Sequence, residues 1–319
     1  MPRSVRVLGG IAIGVAAIYP LMYITVALLR VRYPFELEWM EGGTLDHVRR
    51  VLNGQPLYVS PSLHFIPFIY PPLFFYVAAV AAKLLGSGFM PLRLVSILAS
   101  LISLLLIYRI IRRDGTSPVP ALLGACLFAA SYRQGGAWLD IARVDSLFLC
   151  LVLASFFALR RETAPIRSGL FGGTLLVLAF FTKQAGAFLV PFLLVALAAT
   201  DWRRLVAFSL PLVLLGGGGA LLLDRFTGGW FRYYVFELPQ HHPIIGQLLR
   251  GFWTSSLLAP FGVALVIGAF HFFAPGCWQR PRLLALDLAF TVGMILCAYL
   301  TKIHVGSYDN VVVPAYAAG

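Results

Sequence analysis

The stretch Pro34–Pro72, PFELEWMEGGTLDHVRRVLNGQPLYVSPSLHFIPFIYPP, is the longest polar interruption in an otherwise apolar chain, and its reading decides the fold. It holds four of the thirteen carboxylates, three of which, Glu36, Glu38 and Glu41, crowd together just after the first apolar run. Carboxylates where a helix leaves a bilayer are costly to desolvate, so such a cluster is either a functional site or a solvated acidic loop. Further along, Leu45, Val48, Val51 and Leu52 recur at helical spacing opposite Asp46, Arg49, Arg50 and Asn53. This predicts an amphipathic helix lying on the membrane interface and ended by Asn53-Gly54. Glu41 then falls near that helix's N-terminus, where a negative charge is stabilised.

Working outward, the 319 residues are 60% hydrophobic and only 12% charged, with a mean hydropathy of +0.85. Such a composition excludes a soluble globular domain and requires a polytopic membrane protein. The formal net charge of +12 gives no argument for nucleic acid, because basic residues in a membrane protein fix orientation and meet anionic lipid. Cys126, Cys150, Cys277 and Cys297 lie in or beside apolar segments without metal-ligand spacing and read as small packing residues.

Apolar runs at residues 8–29, 91–108, 117–131, 144–159, 168–181, 185–200, 205–223, 254–273 and 283–300 are candidate spans, with another beginning at Val311. The expected fold is therefore all-α, a transmembrane bundle of about nine or ten spans. Residues 71–86 decide the parity. If they cross the bilayer, the arginine clusters at Arg109/Arg112/Arg113, Arg160/Arg161/Arg167, Arg203/Arg204 and Arg280/Arg282 all fall outside, against the positive-inside rule. If they form a juxtamembrane helix of the first outer loop, as their length and opening Pro-Pro allow, these clusters join Arg3 and Arg6 in the cytoplasm. The second topology is the expected one. It gives a single membrane domain over residues 1–319 with outer loops at 30–90, 132–146 and 224–253, besides a tight turn at Thr182-Lys183-Gln184 and a last loop at 302–310.

Those loops collect the polar motifs on one face. In the second, Asp140 and Arg143 are three residues apart and could pair on a helix, leaving Asp145 at the head of the next span; a structural ion pair is the bland alternative. Lys183, in its tight turn, is a snorkelling anchor or an anion ligand, and Gln184 beside it favours the ligand. The last loop offers His304 and Asp309, with Gly306-Ser307 permitting a turn. His241-His242 are adjacent and do not share a helix face, so no metal ligands are assigned. The Gly216–Gly219 run, inside an apolar segment, reads as close helix packing.

The N-terminal helix, the outer loop with an acidic residue before glycine, LNGQPLY closing the interfacial helix, YPPLFFYVAAVAAKLLG and ARVDSL together resemble the GT-C membrane glycosyltransferases. The branch is that of lipid A aminoarabinose transferase and protein O-mannosyltransferases. Where the family carries Asp-Glu in its first loop this chain has Met40-Glu41, so the resemblance passes the catalytic carboxylate to Glu41, whose two following glycines would admit a sugar, with Glu38 as fallback. Where a lysine commonly precedes Pro-Pro this chain has Tyr70, and the phosphate contact passes to Arg143 and Lys183.

The resemblance implies sugar transfer from a polyprenyl-phosphate donor to a hydroxyl of a lipid, glycan or protein acceptor. A carboxylate base without a covalent nucleophile would invert the anomeric carbon. The resemblance requires no cofactor, and a divalent cation (Mg or Mn) between Glu41, Asp145 and the phosphate stays open. The implied setting is a bacterial inner membrane with the site facing outside, membrane lipid as partner and no nucleic acid. Family members carry further helices, so the chain is expected to end before them. A secondary transporter or lipid-linked-sugar flippase is the alternative; it should show charges in mid-span and inverted repeats of broken helices.

Overall fold

A computed structural model describes residues 3–113, 115–273 and 275–318. The described chain is all-helical, with an isolated bridge between Ile244 and His304 as its one β pairing. Among the described residues six helices are long and apolar enough to cross a membrane: Gly9–Arg30, Phe89–Arg113, Pro165–Thr182, Trp202–Phe226, Gly246–Phe270 and Pro281–Lys302. The expected spans at 117–131, 144–159 and 185–200 are shorter apolar helices, Pro118–Ala130, Val144–Leu159 and Gln184–Thr200. The protein is an integral membrane protein.

Val144–Leu159 shows why length and role part company. It is apolar all round, the pattern of a helix enclosed by others, and it packs between Phe89–Arg113 and Pro165–Thr182. Phe148, Leu149, Val152, Leu153 and Leu159 are all buried there. In lipid there is no hydrophobic drive between helices, so small residues set how closely they approach. Ser168–Gly173 is the sequence SGLFGG, and a Cβ on Gly169 would lie 2.7 Å from the Arg204 carbonyl, while one on Gly173 would collide with that of Phe208. The closest helix contact therefore belongs to Gly169 and Gly173. In the Gly216–Gly219 run the two ends face the same helix, a Cβ on Gly219 lying 3.0 Å from the Phe181 ring and one on Gly216 3.4 Å from Val177, while Gly217 and Gly218 touch only their own helix, whose hydrogen bonding is π-type over Leu212–Gly217.

The first loop folds as its periodicity demands. Met40–Leu52 is helical, Asn53 caps it and Gly54 takes a φ of 66°, a left-handed value glycine adopts without strain. Leu45 and Val48 are buried against Phe74, Phe75 and Ala78 of the next helix, Leu73–Leu85. At about 1.5 Å per residue those 13 residues reach roughly 20 Å, short of a bilayer core of about 30 Å. Gly86, with φ 95°, ends the helix.

His47 locks the loop to this helix pair. Its Nδ1 donates to the Gly43 carbonyl and its Nε2 accepts from the Phe68 amide at 2.8 Å, while the ring stacks on Phe68 and Phe75. Burial holds its pKa down to about 4. Gly42 and Gly43 are explained by the same packing, since a Cβ on the first would strike the Glu36 carboxylate and one on the second the Phe68 ring. The space the glycines open is filled by the protein's own side chains, which corrects the expectation that they admit a sugar.

The helix ends sort the charges into two poles. At one, Arg204 and Arg282 both donate to the Leu159 carbonyl, Arg113 to that of Phe157, and Arg160 pairs with Asp287. The loops around residues 34–72, 132–146, 182–184 and 302–310 meet the π-helical turn Tyr233–Glu237 at the other.

Candidate active site

Arg143 and Lys183 are held at two helix junctions. Arg143 is the extended residue preceding Val144–Leu159, and Lys183, also extended, separates Pro165–Thr182 from the 3-10 turn Gln184–Leu189. Asp145 stands in the first turn after Arg143, where the helix dipole favours its charge. Its Oδ1 accepts from Lys183 Nζ at 2.7 Å and from Asn310 Nδ2 at 2.9 Å, and its Oδ2 lies 4.0 Å from Arg143 Nε. The Arg143 guanidinium also reaches Glu38 Oε2 at 3.5 Å and donates to the Tyr70 hydroxyl at 2.9 Å, and it lies over the rings of Trp138 and Tyr70. Gln184 Nε2 donates to the carbonyls of Ile69 and Val235.

Five separated segments thus converge on one charged cluster. Glu38 and Asp145 balance Arg143 and Lys183, and all four side chains are at least nine-tenths buried. The cluster is not saturated: Glu38 Oε1, Asp145 Oδ2 and Gln184 Oε1 are buried without a hydrogen-bond donor. Burial raises the Glu38 pKa above the ordinary glutamate range despite the opposing pull of Arg143.

Glu41 is elsewhere. It is fully buried, and Arg93 donates to it through Nε (3.0 Å) and Nη2 (2.7 Å), with the amides of Ala142 and Leu37 each adding a bond of 2.7 Å. The same guanidinium donates to the carbonyls of Arg30, Tyr33 and Phe35. Both Glu41 oxygens are taken by the protein's own donors, whereas Glu38 keeps one open, which reverses the ranking of Glu41 above Glu38. A divalent cation between Glu41 and Asp145 lacks a free donor on the Glu41 side for the same reason.

Three other candidates also lie apart. Asp140 does not pair with Arg143, because residues 137–143 are not helical; it accepts from the Tyr132 hydroxyl at 2.6 Å and faces Arg30 Nε at 3.4 Å. His304 bonds the Leu300 carbonyl, and Asp309 is an exposed partner of Lys302. In the last loop it is Asn310, one residue on, that reaches the cluster. Sequence reasoning also missed Trp138 beneath Arg143, although AWLDIARVD places it on the same loop.

Residues 70–224 match the family model described as dolichyl-phosphate-mannose-protein mannosyltransferase. An undecaprenyl phosphate-alpha-4-amino-4-deoxy-L-arabinose arabinosyl transferase from Edwardsiella ictaluri (strain 93-146) is 25% identical over 254 residues, covering 74% of this chain and 43% of the relative. The crystal structure of ArnT from Cupriavidus metallidurans bound to undecaprenyl phosphate superposes with a TM-score of 0.61 at 16% identity, over 94% of this chain and 58% of that one. Its apo form gives 0.54 at 18%, over 95% and 58%. The chain spans about half the length of these relatives.

Proposed function

We propose that this chain, a polytopic membrane protein of the GT-C glycosyltransferase fold, is a glycosyltransferase that moves a sugar from a polyprenyl-phosphate donor to an acceptor hydroxyl, with inversion. The observation that carries the reading is the unsaturated cluster of Glu38, Arg143, Asp145 and Lys183, inside the fold of a protein solved with undecaprenyl phosphate. Glu38 Oε1 takes the proton from the acceptor hydroxyl as the acceptor oxygen attacks the anomeric carbon. The bond from that carbon to the phosphate oxygen breaks, and its electron pair stays on the phosphate. Arg143 and Lys183 face the negative charge that develops there. Asp145 and Asn310 touch neither reacting atom and hold Lys183 in place. The proton ends on Glu38, no covalent sugar-enzyme bond forms, and a single displacement inverts the carbon.

The transport alternative calls for charges in mid-span. Arg143, Asp145 and Lys183 stand at helix termini that meet the polar connecting segments, and the fold shared with a protein solved with undecaprenyl phosphate supports transfer. The bacterial relatives support an inner-membrane setting, and the arginine parity favours a cluster that faces outside. Membranes containing the chain, incubated with radiolabelled polyprenyl-phosphate sugars, should move label from lipid to a new product of inverted anomeric configuration. Retained configuration would remove the single-displacement mechanism, and a donor that crosses the bilayer intact would replace transfer with transport.

A further inference from the structure

Resting on the transfer reading above, we infer that Gln184 reads a hydroxyl or amino group of the transferred sugar, and that this sugar carries no carboxylate. A primary amide has two N–H donors on one side and an acceptor oxygen on the other. In Gln184 the donor side is spent on two carbonyls from different segments, Ile69 at 2.9 Å and Val235 at 3.3 Å. Flipping the amide would set its oxygen against both carbonyls, so its orientation is fixed. Oε1 is left buried and without a donor, an arrangement disfavoured unless a ligand supplies one.

Gln184 follows Lys183 directly, and the neighbouring cluster has the same deficit. Glu38 Oε1 and Asp145 Oδ2 are also buried acceptors without a hydrogen-bond donor. Gln184 Oε1 thus lies on the segment next to Lys183, and a ligand that carries O–H or N–H groups would complete it together with the cluster's two open carboxylate oxygens. A phosphate fits Arg143 and Lys183 but has no proton to offer these oxygens; the acceptor hydroxyl supplies one to Glu38 Oε1, and the donor for Gln184 Oε1 then comes from the sugar ring.

Charge narrows the choice further. Glu38 and Asp145 already offset Arg143 and Lys183. A sugar phosphodiester adds one negative charge; a uronosyl donor would add a second, facing two cations that are each shared with a carboxylate.

The test is a panel of polyprenyl-phosphate donors presented to the full chain in membranes: a hexosyl donor, its singly deoxygenated analogues, and the matching uronosyl donor. In the wild type one deoxy analogue should lose roughly tenfold to a hundredfold in kcat/KM, and the uronosyl donor at least as much. Gln184→Met should bring the hexosyl donor down to the level of that analogue, erasing discrimination at this one position and keeping it at the others. Gln184→Glu gives up the two donated bonds but keeps an acceptor, so discrimination should survive whatever happens to the overall rate. If both variants slow every donor by one common factor, Gln184 is only a clamp between loops and the inference is overturned. Equal use of uronosyl and hexosyl donors by the wild type overturns its charge half without involving any variant. Absence of transfer from every donor would instead remove the transfer reading, and this inference with it.

Discussion

Glu38 and Glu41 are three residues apart and each faces an arginine, yet the two ion pairs are completed to different degrees. Around Glu41 both carboxylate oxygens and the Arg93 guanidinium are engaged, five backbone groups joining the pair. Around Glu38 the arginine stands at 3.5 Å and one carboxylate oxygen has no donor. A buried charge that is fully satisfied rigidifies its surroundings, and one left partly open marks where a ligand completes the set. Glu41 pins the Ala142 amide, next to Arg143, and so positions the loop that Glu38 faces.

The sharpest way to break this contrast is to remove each charge in turn. Glu38→Gln should cut turnover about 10²- to 10⁴-fold, as expected for loss of a general base. Its stability should hardly change, because burial already disfavours the carboxylate more than Arg143 supports it. The raised pKa also places the acid limb of the wild-type rate profile above the ordinary glutamate range, activity being lost as pH falls and Glu38 takes its proton. Near-full turnover in Glu38→Gln would end the assignment.

Glu41→Ala should behave the opposite way, losing about 3–5 kcal/mol of stability because Arg93 is left as an uncompensated buried charge. Removing Arg93 as well should not restore it. The amides of Leu37 and Ala142 and the carbonyls of Arg30, Tyr33 and Phe35 would still lack partners. Thermal unfolding in detergent of the single and double variants checks both statements; a fully rescued double variant would show that the pair matters only to itself.

His47 tests whether the Glu41 side is structural by pH alone. Its folded pKa is depressed to about 4 from 6.5 by burial, and a second ring proton would also face the Phe68 N–H. The unfolded imidazole therefore takes its proton first on acidification. The stabilisation is complete above about pH 6.5 and is lost as pH falls toward 4, about 3 kcal/mol in all. His47→Gln should flatten that part of the stability profile, and an unchanged slope would sink the claim.

How much of this could be read beforehand follows from the range of each interaction. Hydropathy and proline placement are local, so the membrane class, the interfacial helix Met40–Leu52 and the short helix after Pro72 were legible. The arginine clusters made the grouping of loops legible too: Glu38, Tyr70, Arg143, Asp145 and Lys183 do meet, and Gln184 bonds the carbonyl next to Tyr70. Pairings across long separations were not. Arg93 is 52 residues from Glu41, inside a long apolar helix, and nothing local marks it as that glutamate's partner. Asn310 rather than Asp309 faces Asp145 because the turn Asp309–Val312 starts at that point, and a shift of one residue reverses which side chain turns inward. The glycines after Glu41 carried a true signal of close approach but no indication of what approaches.

The smallest expected effect concerns Lys183, which could be either a ligand or an anchor. As a phosphate ligand it contributes one charge-assisted hydrogen bond, so Lys183→Ala should weaken binding of polyprenyl phosphate without sugar by about 1.5–3 kcal/mol. Lys183→Arg should recover part of that, the charge returning with a different geometry. Asp145→Asn separates the two roles. It removes the carboxylate that shares Lys183 while keeping a side-chain oxygen for Asn310 to donate to. With less competition for its charge, Lys183 should then bind the phosphate at least as tightly as before. If Lys183 only ties its helix end to Val144–Leu159, Asp145→Asn loosens that tie and lowers stability. In that case none of the three variants changes phosphate affinity, and Lys183 belongs with Glu41 among the anchors.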